Sequence, residues 1–205
     1  MKKTLILMSS NREMEPETRQ SLRVLTKLGA ALLQETGSSD VAFARCRALS
    51  WACEHLRGEL ADRDVVLMLD DDMEVPEEVA QGVVDKAREL GKPCAAAYAT
   101  RTSKLAAQRW KDNLWLSGLG CMAIPVSMLF ELEQRCESFE MMGKVLTAFT
   151  WSGPDRGRWV SEDYRLSIQL GGVHLLPLPA GHVKKATLLP DDETLEKIAK
   201  FEPLS

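Results

Sequence analysis

The chain has no apolar run of transmembrane length, no CxxC pair, no internal repeat, no low-complexity tract and no excess of basic residues. Each absence excludes a class. Without about 18 consecutive apolar residues, no membrane-spanning helix is expected. The cysteines Cys46, Cys53, Cys94, Cys121 and Cys136 are odd in number and scattered. That argues against a disulfide framework or a zinc site and for free thiols in a reducing cytoplasm. A net charge of −4 gives no global attraction to nucleic acid, although it is compatible with a local basic patch. Histidine is scarce as well, with His55, His174 and His182 the only three.

What is present suits one globular domain. A chain of 205 residues, 45% hydrophobic and 27% charged, can bury a real core. Met1-Lys2-Lys3 and the apolar residues after it look superficially like a signal peptide. The stretch is too short and no small-residue cleavage site follows, so 4–8 reads as a first strand. Leu22, Leu25, Leu28 and Leu32 recur at helical spacing and predict a helix over 15–34, stopped at Gly37. Ser38, Ser39 or Asp40 can cap the next helix, which runs to about residue 56 with Val41, Ala44, Ala48, Ala52 and Leu56 on one face. Residues 65–69 read as a buried central strand. Pro76 suits the first turn of a helix that ends at Gly91, and 94–98 is a further strand. Residues 99–113 form a polar, basic stretch holding Arg101, Lys104, Arg109 and Lys111, and 114–124 is apolar with glycines. Pro125 opens a short helix, 149–160 is a loop rich in Gly, Pro and Trp, and Ser161 caps a helix to about residue 170. A late strand over 173–178 and a terminal helix over 191–200 complete the chain. Alternating strands and helices predict a single α/β domain with a largely parallel central sheet flanked by helices.

The run Val65-Val66-Leu67-Met68-Leu69-Asp70-Asp71-Asp72 is the most informative segment. Its apolar part ends abruptly in three carboxylates, at the strand end where open α/β sheets bind ligands. Adjacent carboxylates repel one another unless a positive partner arrives. A hard divalent cation takes oxygen ligands and often bridges to substrate phosphates. The alternative is a solvated acidic turn ahead of the helix at Pro76. Two later segments belong with this one: Ser161-Glu162-Asp163-Tyr164 at a helix start, and Pro179-Ala180-Gly181-His182-Val183-Lys184 after the last strand.

In their order and context these three segments resemble the GT-A glycosyltransferases, especially small family-2-like members. The likeness runs from about Thr4 to Lys184 and implies a Rossmann-like fold with a donor half near 1–100, an acceptor and catalytic half near 101–190, and a C-terminal helix at 191–201. It also implies transfer of a sugar, a hexose by preference, from a UDP- or GDP-sugar to a hydroxyl acceptor, with Mn²⁺ or Mg²⁺ as cofactor and inversion favoured. Asp72 is then the direct metal ligand, Asp70 holds the ribose or a metal-bound water, and His182 is a further candidate ligand. Asp71, between them on an extended backbone, points the other way; it is counted with the donor-binding residues, with a merely solvated side chain as the alternative. Asp163 is the general base and Glu162 its neighbour that holds acceptor or helix. Helix capping is the competing account of both acids.

Ser9-Ser10-Asn11-Arg12 follows the first strand, where such enzymes seat the nucleotide. Arg45 matches an Arg of the family's Arg-Asn pair and can reach the diphosphate as a bidentate donor, while Cys46 stands where Asn is usual. Gly118 and Gly120 resemble the glycine loop under the donor sugar, with an ordinary tight turn as the alternative. On the acceptor side the candidates are Arg101, Arg109, Trp110, Trp151, Arg156, Arg158 and Trp159, clustered with Trp115 and Lys104 in two polar stretches. The acceptor itself is not legible. Those basic and aromatic stretches keep open a hydroxymethylated base in DNA, against the acidic net charge. Nucleotidyl transfer and non-catalytic nucleotide-sugar binding are the other classes compatible with acids at a strand tip.

Overall fold

The computed structural model describes residues 1–10, 14–36, 40–100, 104–141, 143–155, 157–183, 187–188, 190 and 192–200. The chain opens with β1 (Thr4–Ser10), α1 (Pro16–Lys27), β2 (Ala31–Thr36), α2 (Val41–Arg57), β3 (Val65–Asp70), β4 (Met73–Glu74), α3 (Glu77–Leu90) and β5 (Cys94–Ala97). It continues through β6 (Ala107–Lys111), β7 (Leu114–Ser117), β8 (Cys121–Pro125), α4 (Val126–Arg135), β9 (Ser138–Met141) and β10 (Lys144–Thr147). The last elements are β11 (Gly153–Asp155), β12 (Arg158–Val160), α5 (Glu162–Gln169), β13 (His174–Pro179), β14 (Gly181–Val183), β15 (Thr187–Leu188) and α6 (Asp192–Ala199).

Six strands form one sheet in the order β13-β5-β8-β3-β1-β2. β1 pairs in parallel with β2 and β3, and β13 with β5. β8 runs antiparallel between β3 and β5, so five strands share one direction and one opposes them. Strand periodicity divides the core in two. Leu5, Leu7, Val66 and Met68 pack on one face with Leu49, Cys53, Leu129 and Leu166 from α2, α4 and α5. Ile6, Met8, Val65, Leu67 and Leu69 pack on the other with Leu22, Leu25, Val79 and Val83 from α1 and α3. Helices on both faces explain why β3 is apolar at every position up to Asp70 instead of alternating.

Local signals end the helices where expected. Asp40 caps α2, its carboxylate accepting from Phe43 N at 3.0 Å, a contact of a kind worth about 1 kcal/mol. Pro76 precedes α3, and Gly91 closes it at φ +59°. Ser161 caps α5 by accepting from Tyr164 N. Of the residues proposed to stop the first helix or cap the second, Gly37, Ser38 and Ser39 lie outside the described residues.

Three expectations are corrected. The helix over 15–34 is α1 followed by a strand. α1 ends at Lys27, Gly29 turns the chain at φ +96°, and 31–36 becomes the edge strand paired with β1. Leu28 and Leu32 kept the helical spacing, but six residues of sheet pairing outweigh a weak periodic signal. The stretches 99–113 and 149–160 are not plain loops: the first ends in the β6–β7 hairpin and the second holds the β11–β12 hairpin. Between α4 and residue 148 the chain forms a further hairpin, β9–β10, that the sequence did not announce.

A candidate active site at the strand tips

The parallel register sets the floor of the site. Ser9 at the end of β1 lies opposite Asp70 at the end of β3. Ser10 is buried and its hydroxyl donates to Asp71 Oδ2 at 2.7 Å. The Asp71 carbonyl accepts from Glu15 N at 3.1 Å. Asp71 is therefore not the solvated member of the triplet. It is 7% exposed and ties the β3 tip to β1 and to the start of α1.

Asp72 faces the opposite way, toward the small sheet β15-β14-β4. Pairing of β14 with β4 sets His182 beside Met73, and Val183 N donates to the Asp72 carbonyl at 2.7 Å. His182 Nε2 lies 3.1 Å from Asp72 Oδ2, and Nδ1 lies 3.0 Å from the Ala99 carbonyl. A carbonyl only accepts, so Nδ1 carries a proton. In the neutral ring the Nε2 lone pair then faces a carboxylate, and a proton or a divalent cation between them balances the pair. Among the described residues no three His, Cys, Asp or Glu side chains gather as a complete cation cage. One imidazole and one carboxylate are nevertheless suitable donors for an ion that keeps water or phosphate in the rest of its shell.

Arg45 joins the acids of the strand tip to those of α5. It projects from α2 and is 4% exposed. Its Nη2 donates to Asp70 Oδ1 at 3.1 Å and Oδ2 at 3.3 Å, and its Nη1 to Glu162 Oε1 at 2.9 Å and to Asp163 Oδ1. One guanidinium thus faces three carboxylates. Burial opposes its charge, but Asp163, Asp70 and Glu162 outweigh burial and hold Arg45 above its ordinary value. Burial pushes the Asp163 carboxyl up to about 7; Arg45 opposes the rise, and the Asp70 and Glu162 charges add to it. Glu162 is held independently, since Ser152 Oγ donates to its Oε2 at 2.7 Å and accepts from its backbone N at 3.1 Å. The Thr150 hydroxyl donates to the Glu162 carbonyl.

Tyr98 was not singled out in the sequence. It follows β5, is 7% exposed, and meets His182 edge-on with ring centroids 6.1 Å apart. Its hydroxyl accepts from Gly120 N at 3.2 Å. Burial, then the Asp163 and Asp70 charges, keep the phenol protonated well above its usual range. Gly118 and Gly120 owe their lack of a side chain to this ring. A Cβ on Gly118 would stand 1.9 Å from Tyr98 Oη, and one on Gly120 2.9 Å from Tyr98 Cζ. The only sequence signal for Tyr98 was its place at a strand end.

Of the described acceptor-side candidates, Arg109 and Trp110 lie on the β6–β7 hairpin and Arg158 and Trp159 on the β11–β12 hairpin, while Trp151 precedes β11. Arg109, on β6, is exposed and its Nε donates to the Asp112 carbonyl; Trp110 is half-buried on the same strand. Arg158 and Trp159 on β12 are exposed. Trp151 is 45% exposed with the Arg165 guanidinium 4.9 Å from its ring centre. Trp115 is a core residue, 1% exposed. Arg12, Arg101 and Arg156 lie outside the described residues. Among the described residues no helix is long and apolar enough to cross a membrane.

No protein-family model matches the chain, and none of the curated proteins matches it. Among solved structures, the crystal structure of A197 from STIV aligns with a TM-score of 0.60 at 20% identity, over 94% of this chain and 95% of that one. The likeness extends over nearly the whole of both chains and is one of fold. Mannose-1-phosphate geranyltransferase from Thermus thermophilus aligns with a TM-score of 0.42 at 15% identity, over 65% of this chain and 60% of that one. That overlap is too slight to bear on fold or function.

Proposed function

We propose that the chain is a glycosyltransferase that moves a sugar from a nucleotide-diphosphate donor, a UDP- or GDP-sugar, to a hydroxyl acceptor with inversion at the anomeric carbon. The observation that carries this reading is the Arg45 junction. Acids from a β-strand tip and from a helix start, far apart in sequence, meet on one buried guanidinium at the carboxyl ends of the parallel strands. Simple helix capping does not require Glu162 and Asp163 to share a cation with Asp70.

In this reading the nucleotide lies along Ser9, Ser10 and the β3 tip, with Asp70 toward the ribose. Asp72 and His182 would hold Mn²⁺ or Mg²⁺, which when bound neutralises the charge that grows on the departing diphosphate. Asp163 takes the proton of the acceptor hydroxyl as that oxygen bonds to the anomeric carbon. The bond from that carbon to the phosphate oxygen breaks, and the nucleoside diphosphate leaves with its electron pair. A carboxyl raised to about 7 suits the role, because a base with a value near the working pH combines proton affinity with an adequate ionised fraction. Glu162, held by Ser152, fixes the start of α5 and one side of the acceptor. Tyr98 keeps its proton and stays a neutral neighbour of His182.

The test is a thermal-shift series with UDP, GDP and their sugars, with Mn²⁺ and with a chelator, followed by release of nucleoside diphosphate on adding alcohols. A bound donor raises the melting temperature by mass action. No stabilisation by any of these nucleotides, with or without metal, would sink the reading.

A further inference from the structure

The segment before β11 has two sides. On one, the Ser152 hydroxyl donates to the Glu162 carboxylate at 2.7 Å and accepts from the Glu162 backbone N at 3.1 Å, and the Thr150 hydroxyl donates to the Glu162 carbonyl. On the other, Thr150 and Trp151 form part of the wall of a cavity of about 1070 Å³, which opens between the start of α2, the end of α4, the β9–β10 hairpin and this segment. None of Asp70, Asp72, Glu162, Asp163 and His182 lines it. A molecule held there stays apart from the acids and is no reactant of theirs.

Size and walls suit a small molecule. Such sites usually have volumes of about 300–1,000 Å³ and mostly apolar linings. Here Phe43, Leu132, Phe139, Met141, Ala148 and Trp151 supply the apolar surface. Three of these six are aromatic, and rings pack well against rings. Met141 and Trp151 are still 41% and 45% exposed, so an occupant would remove apolar surface from water.

Charge narrows the class further. The ionic side chains of the wall are two acids, Asp40 and Glu137, and two bases, Arg47 and Arg135. Asp40 caps α2, and Glu137 is exposed. Arg47 pairs with Glu35 and donates to the Thr36 carbonyl, and Arg135 donates to the carbonyls of Glu131 and Gln169. The signs cancel and both cations are engaged, so an anion entering the cavity would lose its water without a compensating partner. Burial raises the Cys46 and Cys136 thiols, which keeps that part of the wall neutral as well.

The wall is tied to the acid junction from both sides. Cys46, next to Arg45 on α2, donates its thiol proton to the Thr150 carbonyl at 3.2 Å. Arg165 of α5, three residues beyond Glu162, rests its guanidinium 4.9 Å from the Trp151 ring centre. A ligand packed on Thr150 and Trp151 thus orders the same short segment that holds Glu162. Two events that order one segment share its entropy cost and favour each other.

We propose that this cavity is an effector site for an uncharged small molecule with an apolar, ring-bearing body, linked through residues 150–152 to the Glu162 end of the acid junction. Neither the cavity nor the link involves a donor, so the site stands apart from glycosyl transfer.

Naphthylacetamide, which is neutral and has no hydroxyl group, and its anionic analogue naphthylacetate serve as probes, titrated calorimetrically at pH 7 without nucleotide. Saturable binding of naphthylacetamide is expected, with naphthylacetate at least about tenfold weaker. Ala42→Trp, which fills the cavity from its helix wall, should weaken naphthylacetamide at least about tenfold. Should Ala42→Trp not fold, Met141→Glu at the exposed mouth must weaken it in the same way. The link is read in Ser152→Ala, because Ser152 does not line the cavity and binds only the Glu162 side. That variant should lose about fivefold or more in naphthylacetamide affinity, and Ser152→Thr, which keeps the hydroxyl, should recover it. No binding of naphthylacetamide, equal affinity for the two probes, or full affinity in the cavity variants would overturn the site. Full affinity in Ser152→Ala, or equal losses in Ser152→Ala and Ser152→Thr, would overturn the link. Each of these outcomes is independent of whether nucleotide sugars bind.

Discussion

Arg45 and Asp163, 118 residues apart in sequence, are in direct contact, Nη1 to Oδ1, inside a helix–strand junction. The contact places an obligate cation on the proposed base. It also makes Arg45 a positioning residue of the whole site, since the same guanidinium reaches Asp70 and Glu162. The sequence-based expectation had Arg45 reaching toward the donor diphosphate; the structure sets it among carboxylates.

Arg45→Ala should be strongly destabilising, because it leaves three carboxylates facing one another around an empty cation position. Breaking a buried ion pair by removing one partner costs about 3–5 kcal/mol. The acids retain 21–27% exposure, so the lower end is expected. Urea unfolding of wild type, Arg45→Ala and Arg45→Lys measures it. Lysine should recover part of the loss, since it restores the charge without the fork that spans Asp70 and the α5 acids. Equal stability of all three proteins would refute the junction.

Asp163→Asn should lower transfer about 10²–10⁴-fold and spare donor binding. Stability should respond to pH in a defined direction. The folded value of Asp163 is raised to about 7, above the unfolded value of about 3.9. The contribution of this group is complete below about pH 4 and is lost as pH rises through about 7. Wild type should therefore lose melting temperature relative to Asp163→Asn between those limits. A constant difference across that range would place the raised carboxyl elsewhere.

Removal of metal should act through Asp72 and His182 together. Nucleotide-sugar affinity with Mn²⁺, measured by calorimetry, should fall in Asp72→Asn and in His182→Ala, and chelation should bring wild type down to the level of the variants. If His182→Ala lowers only the melting temperature, the histidine is a strut between Asp72 and the Ala99 carbonyl.

Gly118→Ala should cost about 1–3 kcal/mol, the usual range for overpacking, because its Cβ would meet Tyr98 Oη at 1.9 Å. Tyr98→Phe removes that oxygen and should recover part of the loss in the double variant, a coupling visible in a double-mutant cycle. Additive losses would show that the two residues do not compete for the same space.

The sequence by itself determined the parts that depend on neighbours along the chain. The apolar run before Asp70 marks a strand covered on both faces. Asp40 and Ser161 cap helices with their own side chains, and Gly91 reverses the chain after α3. These are local effects of backbone conformation and of hydrogen bonds spanning a few residues. Only the tertiary structure decided what depends on pairing at a distance. It made 31–36 an edge strand, since parallel pairing with β1 overrides helical spacing. It turned β8 against its neighbours, buried Asp71 on Ser10, and brought Tyr98 over the two glycines. It also gathered Asp70, Glu162 and Asp163 around Arg45, and formed the cavity behind them from four separate elements. Such contacts join residues whose separation in sequence carries no periodic signal. Their energy comes from burial and charge compensation in the folded chain, which no short window of sequence contains.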